Sequence, residues 1–262
     1  MNTVSYVINL KSRPDRLQSV TKRFSSIDEK FERVDAITGE ANRAESAAYV
    51  APPNVVANWK SHLECYKRFL TTDAELCFIF EDDVEFKKNI KLILNQLRML
   101  NEFNFDIFQF GYLGSKLKFG VLQTFQRKIQ YLLLKTCLLI LTVLPKSKTS
   151  KIKKKIELRE QKMLFCIKQS RKLRLTGIVI PGFVSGTHAY AIGRDMAQKL
   201  LRYNNPTILG ADLALQILSM SGNWIIYRTP RTFAIQDNSS VSIGEHNSIG
   251  SDLGLVLIGE KE

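Results

Sequence analysis

Residues 76–86 read Leu76-Cys77-Phe78-Ile79-Phe80-Glu81-Asp82-Asp83-Val84-Glu85-Phe86, an apolar run that passes straight into three consecutive carboxylates. The run has the length and composition of a strand buried on both faces, and it delivers the acids at that strand's C-terminal end. Ligands of open α/β sheets bind at this edge. Neighbouring carboxylates repel one another and destabilise the fold unless a cation offsets them. Hard divalent cations, Mg2+ or Mn2+, favour carboxylate oxygens and share their shell with substrate phosphates. The competing reading is a solvated acidic turn that ends a strand.

Outward from this segment the pattern is one of strands separated by helices. Val4-Ser5-Tyr6-Val7-Ile8 reads as the first core strand, and the loop from Asn9 to Arg16 leads into a helix near Pro14, where proline suits a first turn. Residues 31–34 form a second short strand. Trp59, Leu63, Tyr66 and Leu70 are spaced 4, 3 and 4, which predicts one buried helical stripe just before the acid-tipped strand. Helices are expected over 90–100, 195–203 and 211–221, and strands over 106–110, 186–192 and 224–227. The segment after Gln236, rich in Ser, Asn and Gly, reads as loop. Strands alternating with helices predict an α/β fold with a mostly parallel central sheet.

Charge divides the chain. The whole sequence carries +13, yet residues 115–176 hold seventeen Lys and Arg against two acids, Glu157 and Glu160. The expected organisation is therefore one domain formed by 1–114 and 177–262, interrupted by a basic insert at 115–176. Within the insert, 131–144 is apolar but for Lys135, which is too short to span a bilayer. An apolar helix beside a dense basic one has the composition of a surface-lying anchor on an anionic membrane, here 120–174; a buried helix beside a solvated basic one is the plain alternative. Nucleic acid is not expected as a partner, because the apolar run has no role there and aromatic residues for base stacking are sparse. Cys65, Cys77, Cys137 and Cys166 lie far apart without metal-ligand spacing, so free thiols and a reducing, cytoplasmic compartment are expected. No basic region precedes the short apolar stretch at 3–10, so it is not read as a signal peptide.

Four pieces, in order, carry a resemblance to a known family. They are Val7-Ile8-Asn9-Leu10 with Arg13, Asp15 and Arg16; Phe31-Glu32-Arg33-Val34-Asp35-Ala36 with Gly39; Ser61-His62 followed by Phe80-Glu81-Asp82-Asp83-Val84; and Gly186-Thr187-His188-Ala189-Tyr190. Together they resemble glycosyltransferase family 25, the lipooligosaccharide β-galactosyltransferases of Gram-negative bacteria. The resemblance covers 3–114 and 182 to about 245 and leaves the insert outside. It departs from the family pattern at Asn54-Val55-Val56-Ala57-Asn58-Trp59, where members carry a Gly-rich stretch.

The resemblance implies a GT-A-type, Rossmann-like nucleotide-sugar-binding fold, a UDP-sugar donor (galactose above others), a lipooligosaccharide acceptor and inversion at the anomeric carbon. It also implies a divalent cation, Mn2+ or Mg2+, held by the acidic triplet against the donor diphosphate. Asp83 and Glu81 are the expected metal ligands, because residues two apart on an extended chain point the same way, with Asp82 turned toward the ribose. Asn9, Arg13 and Arg16 are expected at the donor; the arginines equally suit ion pairs with acids such as Asp15. His62 is either a substrate contact or a structural histidine, and His188 a third metal ligand, a substrate contact or a core histidine. Gln236 and Asn238 match the family's closing segment at the donor or acceptor site. An inverting transfer needs a base for the acceptor hydroxyl, and Asp212 is the candidate, although a carboxylate in a first helical turn also serves as a cap. The enzyme is expected to be peripheral on the cytoplasmic face of the inner membrane. The alternative is a non-catalytic member that binds membrane or a partner through the insert.

Overall fold

The computed structural model describes residues 1–40, 52–99, 105–112, 180–204, 207, 209–221, 224–229 and 232–237. The basic insert, Cys137, Cys166 and Asn238 lie outside the described residues. In chain order the elements are β1 (Thr3–Asn9), α1 (Pro14–Ser26), β2 (Glu32–Asp35), α2 (Pro53–Thr71), β3 (Leu76–Glu81), β4 (Val84–Phe86), α3 (Ile90–Arg98), β5 (Ile107–Gly111), β6 (Ile180–Pro181), β7 (Ala189–Gly193), α4 (Arg194–Leu200), α5 (Ala211–Ser221), β8 (Ile226–Arg228) and β9 (Ala234–Gln236).

The strands form one mixed sheet in the order β2-β1-β3-β7-β5-β8-β6, with β9 joining β4 to the end of β5. β1 pairs in parallel with β2 and β3, and β5 with β8. β7 enters between β3 and β5 antiparallel to both, and β6 runs against β8. The α/β expectation therefore holds. The sheet is less uniformly parallel than expected because a continuously apolar strand such as β7, buried on both faces, looks the same whichever way it runs.

Period-two alternation in β3 sorts its side chains onto two cores. Cys77 and Ile79 join Tyr6, Ile8, Trp59, Tyr66, Phe69, Met196, Leu200, Leu215 and Leu218 on the face covered by α2, α4 and α5. Leu76, Phe78 and Phe80 meet Val7, Val20, Phe24, Ile93, Leu94 and Leu97 on the face covered by α1 and α3. The result is a three-layer α/β/α arrangement with β3 buried on both sides. Trp59 and Tyr66 lie at the centre of the α2 stripe as expected. His62, Cys65 and Phe69 complete it, while Leu63 and Leu70 sit at its border. Cys65 and Cys77 are free and fully buried, and burial pushes both thiols up.

Candidate active site

The C-terminal ends of β1 and β3 lie side by side, with Ile8 opposite Glu81. Immediately beyond, Asp82 and Asp83 form a tight turn before β4. The turn is closed from outside by β9, since the Asp237 amide donates to the Asp83 carbonyl at 2.7 Å and β4 pairs antiparallel with β9. Arg23 from α1 fastens the same corner, donating to the Val84 carbonyl at 2.9 Å and pairing with Asp237.

The turn breaks the strand alternation, so the expectation that Glu81 and Asp83 simply point the same way does not describe the chain. Each acid of the triplet has its own partners. Glu81 Oε1 accepts a hydrogen bond from Thr187 Oγ1 at 2.7 Å and lies 3.4 Å from His62 Nε2. Asp82 accepts from Asn9 Nδ2 at 2.7 Å and meets Arg16 Nη1 at 3.3 Å. Asp83 Oδ2 accepts from Gln236 Nε2 at 2.8 Å, with Arg16 Nη1 at 4.0 Å. Asp83 Oδ1 is buried and has no protein partner. An orphaned carboxylate oxygen in a buried site is costly and calls for a water, ion or ligand as its partner.

The environment drives the charges of the triplet apart. Burial, reinforced by the neighbouring Glu81, pushes the Asp83 carboxyl up to about 7. Burial would raise Glu81 as well, but His62, His188 and Thr187 outweigh it and hold this carboxyl at about 2. Asp82 is raised by burial against the opposing pull of Asn9 and Arg16. Perturbed carboxylates gathered at a sheet edge mark functional sites more often than structural ones.

The structure brings Asn9, Arg16, His62, Glu81, Asp82, Asp83 and Gln236 into one contact network. Asn9 is itself oriented by Arg33, whose Nε donates to Asn9 Oδ1 at 3.0 Å. Arg13 makes a forked pair with Asp15, at 3.0 and 2.9 Å, which holds the exposed Asp15 carboxyl at about 2. His188 is buried in the core behind the triplet. Its carbonyl accepts from the Glu81 amide at 3.2 Å, and its Nε2 lies 3.1 Å from the Ala234 carbonyl, so it ties β7 to β3 and β9. Burial lowers its pKa against the pull of Glu81. Asp212 opens α5, and its Oδ2 accepts the Gly186 amide at 2.8 Å. Gly186 has φ +108°, a conformation that favours glycine. Gln109, fully buried on β5, donates to the Val184 and Gly186 carbonyls at 2.9 and 2.7 Å. Asp212 and Gln109 thus fix the loop that delivers Thr187 to Glu81. Thr187, Arg33 and Gln109 escaped the sequence reading. Thr187 and Arg33 were visible inside the Gly-Thr-His and Phe-Glu-Arg-Val-Asp-Ala blocks, whereas nothing local marks Gln109.

Donor chemistry limits what this arrangement can hold. Among the described residues no group of three or more His, Cys, Asp or Glu forms a metal cage. The set does suit a hard cation taking one or two carboxylate oxygens and the rest of its shell from phosphate and water, because Asp83 Oδ1 is an orphaned oxygen beside Glu81.

A family model described as glycosyltransferase family 25, lipopolysaccharide biosynthesis protein, matches residues 2–215. The chain belongs to glycosyltransferase family 25. The matched span takes in β1 to the start of α5, the triplet and Asp212, and it brackets the 115–176 segment. No curated protein matches the chain. This family 25 member is thus a glycosyltransferase of lipopolysaccharide biosynthesis, with a sugar donor and a lipopolysaccharide-type acceptor. Among its described residues no helix is long and apolar enough to cross a membrane.

Proposed function

We propose that the enzyme is an inverting, GT-A-type hexosyltransferase that moves galactose from UDP-galactose to a lipooligosaccharide or lipopolysaccharide acceptor. The single observation that carries this reading is the buried, unpartnered Asp83 Oδ1 beside Glu81 at the C-terminal edge of β1 and β3. That edge is where an α/β sheet receives a nucleotide. Glu81 and Asp83 would hold Mn2+ or Mg2+, which when bound supplies positive charge against the leaving diphosphate.

The chain's own groups account for the remaining work. Arg16 lies between Asp82 and Asp83, where its guanidinium suits the donor phosphates. Asn9 fixes Asp82 for the ribose side. Gln236 holds one Asp83 oxygen, so that the other is presented to the site. In the transfer the acceptor oxygen forms the new bond to the anomeric carbon as the bond to the diphosphate breaks, and UDP leaves with the electron pair. Asp212 is the proposed recipient of the acceptor's proton. The basic, apolar segment 120–174 is proposed to hold the enzyme on the anionic cytoplasmic face of the inner membrane.

The test is UDP release from a panel of UDP-sugars with lipooligosaccharide acceptor, with and without Mn2+. Release is expected with UDP-galactose and Mn2+, and loss of it in Asp83→Ala. Full activity in Asp83→Ala would remove the metal-holding role. Release from a different UDP-sugar alone would reassign the donor.

A further inference from the structure

Behind Glu81 a line of polar groups runs into the core. Glu81 Oε1 lies 3.4 Å from His62 Nε2; His62 Nδ1 is 2.9 Å from the Tyr190 hydroxyl; and that hydroxyl is 2.7 Å from the Tyr66 hydroxyl. His62 and Tyr66 are one turn apart on α2 and so share a face, while Tyr190 comes from β7 and Glu81 from β3. His62, Tyr190 and Tyr66 are all fully buried, in the core that holds Trp59, Phe69 and Phe183. Polar groups are tolerated in such a place only when their donors are used.

Donor accounting gives the line one direction. Both phenols keep their protons, since burial pushes each well up. His62 Nε2 makes no well-aligned hydrogen bond, but its 3.4 Å approach to an ionised Glu81, which can only accept, favours a hydrogen on Nε2. With that hydrogen on Nε2 alone, His62 accepts at Nδ1 from the Tyr190 hydroxyl, and the Tyr190 oxygen accepts from Tyr66. Run the other way with a single ring hydrogen, the line would aim the Nε2 lone pair at a carboxylate oxygen. Thr187 bonds the same Oε1, so two groups hold that one oxygen.

We propose that Tyr190 and Tyr66 are positioning residues for Glu81, fixing His62 as the Nε2–H tautomer so that one Glu81 oxygen is anchored and the other is presented to the donor site. This rests on Glu81 belonging to that site. The arrangement is an outer shell that orients a ligating or substrate-binding carboxylate without touching the substrate.

The sequence holds three histidines, so 15N-histidine labelling gives a spectrum simple enough to assign by loss of one signal set in His62→Gln. The wild type is expected to show His62 protonated at Nε2 alone. Tyr190→Phe should lose that fixed tautomer and weaken Mn2+ affinity or activity by roughly 10–100-fold, the usual effect of removing an outer-shell partner. Tyr66→Phe should keep the tautomer, because Tyr190 still donates, and lose less. A His62 protonated at Nδ1, or at both nitrogens, in the wild type overturns the proposal; so does a Tyr190→Phe protein with tautomer and Mn2+ affinity unchanged. Should Tyr190→Phe fail to fold, the wild-type tautomer and Tyr66→Phe still decide. These spectra are read without turnover, so an active Asp83→Ala would defeat the donor-site reading alone, and a wrong tautomer would defeat the positioning role alone.

Discussion

Asp83→Asn should stabilise the metal-free protein at alkaline pH while removing its transferase activity. The carboxyl is held near 7 in the folded protein, first by burial and then by Glu81, against 3.8 in an ordinary setting. A raised acid keeps its proton in the folded state after the unfolded chain has released it. Its contribution is therefore most favourable below about pH 4, declines as pH rises toward 7 and stays low above. At about 1.4 kcal/mol per pKa unit, the penalty at pH 8 is at most about 4 kcal/mol. Asparagine keeps the acceptor for Gln236 Nε2 but buries an amide where Oδ1 had no partner, at about 1–3 kcal/mol. A net gain on the order of 1–2 kcal/mol at pH 8 is expected, turning into a net loss near pH 4. Urea denaturation of both proteins with EDTA at pH 4, 6 and 8 reads this directly as a crossing of the two stability curves. The Asp82 contribution is common to both proteins, and that of Glu81, lowered to about 2, is lost only as pH falls below its ordinary 4.5. Mn2+ at a hundred times its dissociation constant should restore about 2.7 kcal/mol to the wild type and nothing to the variant. If the difference between the two proteins is the same at pH 4 and pH 8, Asp83 does not carry the buried charge described.

Three further outcomes follow from the geometry. Asp212→Asn keeps an acceptor for the Gly186 amide, so a base role predicts kcat lowered ~10²–10⁴-fold with normal folding, whereas a loop anchor alone predicts near-normal turnover. Gly111→Ala places a methyl 2.5 Å from the Ala189 Cβ and 2.9 Å from the Ala234 Cβ; overpacking there should cost about 1–3 kcal/mol, seen as a lower urea midpoint. Deleting 120–174 should release the protein from anionic vesicles in a flotation assay, and raised salt should weaken the intact protein's binding; vesicle binding unchanged by either would reduce the segment to a structural role.

Much of the site was legible because its signals are local. The apolar run 76–80 ending in Glu81-Asp82-Asp83 has one sensible place in an α/β sheet, and β3 occupies it with every apolar side chain buried. The Trp59–Tyr66 spacing placed α2, and Asn9 and Arg16 reached the acids as their position at and beyond the end of β1 suggested. Other features carry no local signal. β4 and β9 are three residues each and exist because they pair with one another. Arg13 pairs with Asp15 two residues away, one of the two partners its place in the loop offered.

By itself the sequence determined the layer architecture, the strand that carries the acids and the family, because burial patterns and ordered motifs are properties of neighbouring residues. Tertiary structure decided which oxygen of each acid is spoken for. The turn at 82–83, the reversed β7 and the β9 closure bring Thr187, His62, Gln236 and Asn9 from distant parts of the chain onto three adjacent carboxylates. Partner choice at that range follows from packing geometry, to which no stretch of sequence alone gives access.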